Sequence, residues 1–387
     1  MGLEDEYRTP GQYVAALRDS RGWTNKVLAV VADVDEATIS KLVNGKKTLD
    51  AELALVLAEV FEVPAEDLLG LQKTYDLALA KTRRRPDPAR AKRAQLFGSL
   101  PVAEMIKRGW LGDVTTIKEL PRVEAALAQF FGAADVSEIA VLPHAAKKTD
   151  QFAGATPTQI AWLYRVRQIA REMVVGSYSG GSIGRALAEL GKMRISVEAT
   201  RHVPRVLEEA GIRFVVVESL PSAKMDGVCF WLSDSEPVVG MSLRHDRVDN
   251  FWFVLRHELE HVRQGHGRTT AMLDAELEGE RAGVGEGVAE EERTANAAAA
   301  EFCVPQKLLR EFIVRKEPFF AERDIVALAR MLSVHPGLVA GQLQHQTKRY
   351  DRFRAHQSKV RSFLTPSAMA DGWGDVVPVE RGATDGN

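Results

Sequence analysis

The residues in this sequence best suited to chemistry are two histidines and a glutamate. Within 250–266 the chain reads His257-Glu258-Leu-Glu-His261. On a helix, residues four apart share a face, so His257 and His261 can turn two imidazoles toward one point. Glu258 is rotated by about 100° from His257, which sets its carboxylate beside that point rather than on it. Two neutral nitrogens and a neighbouring carboxylate suit a zinc ion whose bound water has a general base next to it. The chain holds nine His and 32 Glu among 387 residues. Such a pentapeptide is then expected only ~0.02 times by chance, which argues against coincidence. Phe251, Trp252, Val254 and Leu255 give the helix an apolar start that can bury the back of the site.

A catalytic zinc takes three protein ligands and leaves a position for water, so a third donor must come from elsewhere. His266 follows His261 by five residues, across Gln264-Gly265, and reads as a surface histidine beyond the helix. A better source is the helical run from Glu290 to Val304, ended by Pro305. Glu292 and Asn296 lie four apart on one of its faces, suited to serve as a ligand and as a hydrogen-bonding partner that orients a ligating imidazole. Glu291 and Glu290 compete for the ligand role, and all three could simply be acidic residues complementing a helix N-terminus. The same donors accept Mn²⁺ or Fe²⁺, since affinity order alone does not set occupancy. Peptide hydrolysis also needs a donor for the oxyanion, for which His245, His345 and Tyr350 are candidates.

The elements around these residues can be read from spacing. A helix over 197–210 stops at Gly211, and strands follow at 212–218, 228–232 and 237–243. Turns are expected at Asp226-Gly227 and at 233–236. This pattern predicts a three-stranded antiparallel meander running into the metal helix, with an exposed edge able to pair with an extended peptide. Residues 268–290 read as a long mobile loop. Further helices are expected at 321–332 and 338–346.

Net charge is −2, so the molecule as a whole is not an electrostatic nucleic-acid binder, although a local basic patch is allowed. Two cysteines exclude a disulfide framework and fit a reducing cytoplasm. The acidic N-terminus is no secretory signal, and no apolar run approaches the ~20 residues needed to span a bilayer. Upstream, residues 10 to 82 read as five short helices, with Thr24 as an N-cap and Gly45 as a stop. A helix, a tight turn at 33–35 and a second helix ending in Asn44-Gly45 form a helix-turn-helix arrangement. This stretch resembles the Cro and lambda-repressor family, and its segment at 68–78 resembles the antitoxin branch. The resemblance implies Thr38, Ser40 and Lys41 near base edges of double-stranded operator DNA, and Asn25, Asn44, Lys46 and Lys47 near phosphates. Two departures stand out. Asp35 and Glu36 open the candidate recognition helix, where anions repel DNA, and Asn25 replaces the usual Gln.

Three later segments, taken in order, carry a second resemblance. They are Leu243 to Val262, the Glu292-Arg-Thr-Ala-Asn296 run with Val304-Pro305, and Val334 to His345. Together they resemble the ImmA/IrrE family of zinc metallopeptidases, over roughly 195–350. By position, the resemblance implies His257, His261 and Glu292 as zinc ligands and Glu258 as the base. It implies a thermolysin-like zincin that cleaves a helix-turn-helix repressor or antitoxin to control transcription in stress, prophage or toxin–antitoxin systems. The family's aromatic two residues after the Asn is here Ala298. The alternative is a non-proteolytic regulator whose metallopeptidase-like half is a sensor.

The expected fold class is α+β and mostly helical. A five-helix helix-turn-helix domain is expected at 1–82, and a linker with a helical middle region at 83–195. A zincin-like domain with a small antiparallel sheet follows at 196–363, then a loosely packed tail at 364–387. The expected partners are operator DNA and a protein substrate, without a membrane; a homodimer is a further candidate arrangement.

Overall fold

The computed structural model describes residues 6–85, 100–136, 155–268, 271–275 and 290–374, with 87, 90, 94, 96–98 and 139. The chain divides into two compact units, Met1–Arg90 and Ala91–Asn387. The division falls in the basic, proline-interrupted stretch read as a linker, part of which lies outside the described residues.

The first unit is five helices: α1 (Pro10–Ser20), α2 (Asn25–Val31), α3 (Glu36–Val43), α4 (Ala51–Phe61) and α5 (Ala65–Arg83). Local chemistry starts four of them. Thr9, Thr24, Asp35 and Asp50 each accept a hydrogen bond from a first-turn amide of the helix that follows, satisfying donors that a helix start leaves open. Val14, Leu28, Ile39, Leu42, Leu57 and Leu68 fill the core. Gly11 lets α1 meet α3 backbone to backbone, since a Cβ there would lie 2.2 Å from the Leu42 carbonyl oxygen.

The second unit is built on a five-stranded sheet: β1 (Arg213–Val217), β2 (Met225–Trp231), β3 (Pro237–Met241), β4 (Met272–Ala275) and β5 (Met369–Asp371). Its order is β4-β2-β3-β1-β5. The fold is α+β and mostly helical, but the sheet is mixed, not an antiparallel meander. β1 pairs with β3 and with β5 in parallel, while β2 pairs antiparallel with β3 and β4. The expected turn at Asp226-Gly227 is a continuous part of β2. The tail also departs from expectation, for 369–371 form an edge strand whose Asp371 makes a buried ion pair with Arg165. Residues 375–387 lie outside the described residues, as do 269–270 and 276–289 of the expected loop.

Both faces of the sheet are covered, which is why its strands read as unbroken apolar runs. Side chains alternate along each strand. Val215, Val217, Val228 and Phe230 face one core with α6 (Val102–Lys107), α7 (Leu120–Phe131) and α8 (Pro157–Glu172). Phe214, Val216, Cys229 and Trp231 face the other core. There lie α9 (Gly180–Met193), α10 (Val203–Glu209), the histidine-bearing helix α11 (Val248–Gln264), α12 (Glu290–Cys303), α13 (Gln306–Lys316), α14 (Glu322–Leu332) and α15 (Pro336–Thr347). The helical middle region is therefore no separate body: α8 seats on β1 and β3, with the Trp162 indole N–H donating to the Val217 carbonyl at 2.9 Å. Gly240 makes room for Val166, which a Cβ would approach to 2.7 Å.

Candidate metal centre

Helix α11 is buried on nearly every side, and unusually for such a helix it carries seven buried polar or charged residues: Asp249, Asn250, Arg256, His257, Glu258, Glu260 and His261. Buried charge is costly unless paired. Away from the histidines, pairing is evident. Glu260 accepts from Arg256 at 2.6 Å, Arg263 at 2.5 Å and Gln264 at 2.8 Å. Burial raises the Glu260 carboxyl, but these hydrogen bonds outweigh it and bring its pKa to about 2, so it stays ionised.

The two histidines are fully buried, and their Nε2 atoms stand 3.0 Å apart. Glu292 closes the triangle from α12, with one oxygen 3.4 Å from His257 Nε2 and the other 3.4 Å from His261 Nε2. Donors about 2.0–2.1 Å from a tetrahedral zinc lie about 3.3 Å from one another, so the triangle fits that ion. His257, His261 and Glu292 form a group of donors mutually within 4.8 Å, the one such group among the described residues. Glu291 and Glu290 point elsewhere: Glu291 is 3.8 Å from His266, and Glu290 pairs with Arg293. Close packing brings Glu292 into place. Ala295 and Ala299 are wholly buried where α12 meets α11, and small residues let two helices approach. On the same helix, Asn296 Oδ1 lies 3.1 Å from His257 Nδ1, where it can accept that nitrogen's proton and leave the Nε2 lone pair facing Glu292.

Glu258 lies against β2 at a point where the strand has no side chain. A Cβ on Gly227 would fall 2.0 Å from Glu258 Oε1, so the glycine makes room for the carboxylate. The role of Gly227 is not legible from spacing, because Asp-Gly is also a turn signal. Beside it, the buried Asp226 accepts from Arg244 at 3.0 and 3.1 Å, and His245 Nε2 is 3.9 Å away. Burial, and then the Arg244 cation, lower the His245 pKa, so the imidazole is neutral at pH 7. His345 is half-buried in the last turn of α15, a helix packed against both α11 and α12; Tyr350, also half-buried, follows it. The strand beside α11 is not an edge. β4 covers β2 and forms that margin of the sheet itself.

In the first unit, the residues expected at DNA divide by exposure. Lys41, Asn44, Lys46 and Lys47 are exposed, and Thr38, Ser40 and Asn25 are half-buried. The Lys46 and Lys47 amides both donate to the Lys41 carbonyl, at 2.7 and 3.2 Å, so three lysines share one turn. Asn25 Oδ1 accepts from Arg18, and Asn44 donates to the Ser40 carbonyl at 2.7 Å. Asp35 is explained by its role as the N-cap of α3.

Residues 14–68 match the helix-turn-helix family model. The first unit thus carries a helix-turn-helix DNA-binding domain. No curated protein and no solved structure matches the chain. No helix among the described residues is long and apolar enough to cross a membrane.

Proposed function

We propose that the second unit is a zinc-dependent endopeptidase of the ImmA/IrrE kind, delivered to its substrate by the helix-turn-helix domain on the same chain. The observation that carries this reading is the convergence of two buried imidazoles and Glu292 on one point, with Glu258 beside them over Gly227. His257, His261 and Glu292 would hold the metal. Bound there, zinc would supply Lewis acidity toward a water and toward the scissile carbonyl. Glu258 takes the proton of the attacking water and passes it to the amide nitrogen as the C–N bond breaks. His245, with its neutral imidazole, and His345 or Tyr350 are the side chains proposed to donate to the carbonyl oxygen. An extended substrate would add to β4, the sheet margin on the side of β2, rather than to the meander edge expected from sequence.

Among the described residues three protein donors converge, and this favours catalysis over a purely structural zinc, which takes four. The proposed substrates are DNA-bound repressors or antitoxins, because Lys41, Lys46 and Lys47 would place the protease on the same duplex. The test is cleavage of a panel of helix-turn-helix repressors and antitoxins by the full chain loaded with Zn²⁺, Mn²⁺ or Fe²⁺. Cleavage that Glu258→Gln abolishes at unchanged metal content supports the reading. Metal-dependent DNA binding without any cleavage would replace it with the sensor.

A further inference from the structure

His266 stands just beyond the metal helix, and its imidazole faces His261, with the two Nδ1 atoms 3.0 Å apart. The turn that carries it is tightly built. Gly265, left-handed at φ 76°, caps α11 and folds the chain back, and the His266 amide donates to the His261 carbonyl at 2.9 Å. The His266 carbonyl accepts from the Trp231 indole N–H at 2.8 Å. Gly267 is left-handed as well, at φ 79°, and a Cβ there would lie 2.7 Å from the Cys229 carbonyl oxygen, so the turn rests directly on β2. Trp231 is itself held, edge-to-face with Tyr178 and beneath the Arg268 guanidinium. A histidine that merely followed a helix into solvent would need none of these contacts.

The geometry has a chemical consequence. For His261 to present its Nε2 lone pair to a metal, its proton must sit on Nδ1, where it needs an acceptor. His266 Nδ1 is placed to accept it. The proton of His266 then sits on Nε2, facing Glu291 Oε1 at 3.8 Å. Glu291 is half-exposed and beyond hydrogen-bonding distance, so it biases this tautomer only weakly.

We propose that His266 is a positioning residue for the metal centre. It accepts the Nδ1 proton of His261 and fixes that ring's tautomer and plane, as Asn296 does for His257. The inference rests on the metal reading above and adds one residue to it.

The experiment measures zinc affinity of the full chain by competition with a chelating dye, for the unsubstituted protein, His266→Ala and His266→Asn. Loss of such a partner weakens metal binding 10–100-fold. His266→Ala should show that loss while the metal-free protein keeps its circular dichroism and melting midpoint. His266→Asn, whose amide oxygen stands in for Nδ1, should recover most of the affinity. With Co²⁺ in place of zinc, the visible spectrum should keep the same coordination in His266→Ala as in the unsubstituted chain. If His266→Ala binds zinc as tightly as the unsubstituted chain, the positioning role fails and the metal reading stands. If its Co²⁺ spectrum loses a nitrogen ligand, His266 is a ligand and the proposal is overturned. If the unsubstituted chain binds no zinc, the metal reading itself fails, and this inference with it.

Discussion

The two units of this chain place their candidate functional residues in opposite environments. In the helix-turn-helix unit, Lys41, Lys46 and Lys47 stand in solvent over a hydrophobic core that they do not help to build. In the second unit, His257, Glu258 and His261 are part of the core, wholly buried between a sheet and a set of helices. Surface function can change without disturbing the fold, whereas buried function is bound up with packing and with the pairing of every polar group. The contrast extends to distance along the chain. Four of the five helices of the first unit are started by a capping side chain next to them. The centre in the second joins α11, α12 and a glycine in β2.

The largest expected effect tests the buried centre. Glu258→Gln should lower peptide cleavage by about 10²–10⁴-fold, the range of general acid–base catalysis, while zinc measured by mass spectrometry stays at one per chain. Parallel loss of metal would place Glu258 in the structure of the site rather than its chemistry. Gly227→Ala comes next. The added methyl would displace the Glu258 carboxylate, and a misplacement of about 1 Å costs about 10²-fold in rate; kcat should fall with zinc retained. Asn296→Ala acts one step further from the reaction and should weaken zinc 10–100-fold in chelator competition. An unchanged affinity would show that the Asn296–His257 contact does not orient the ligand.

The smallest effects belong to the exposed unit. Lys46→Ala and Lys47→Ala should each weaken binding to a generic duplex and reduce the salt dependence of log K by about one phosphate contact, read by fluorescence anisotropy across a salt titration. Their melting midpoints and zinc content should match the unsubstituted chain, since surface changes of this kind usually lie within about 0.5 kcal/mol. A stability loss comparable to a core substitution would erase the contrast between the units.

Where the structure departs from the sequence reading, each departure has a definite cause. β1, β2 and β3 were recognisable as strands, but each is buried on both faces, so alternation carried no information about partners, and the parallel β1–β3 pairing stayed hidden. β5 has three residues, too few to show a period, and it is held in place by Arg165 from far upstream. Gly227 reads in sequence as a turn because Asp226 completes a turn-like dipeptide. Only the carboxylate lying over it shows why that strand needs a glycine. His266 reads in sequence as a surface histidine beyond the helix, across Gln264-Gly265. The left-handed turn there brings it back against His261.

What the sequence determined alone is what local rules encode. These are the five helices of the first unit, four of them capped by a neighbouring side chain, the helical spacing that puts His257 and His261 on one face, and the Glu292–Asn296 pair on another helix. Tertiary structure decided which of three consecutive glutamates reaches the imidazoles, what makes room for Glu258, and what holds the outer nitrogens of the two histidines. Spacing along a helix is set by backbone geometry that every residue carries with it. Convergence on one point depends on how closely α11 and α12 pack and on where the chain turns back, and those distances arise only when the core is assembled.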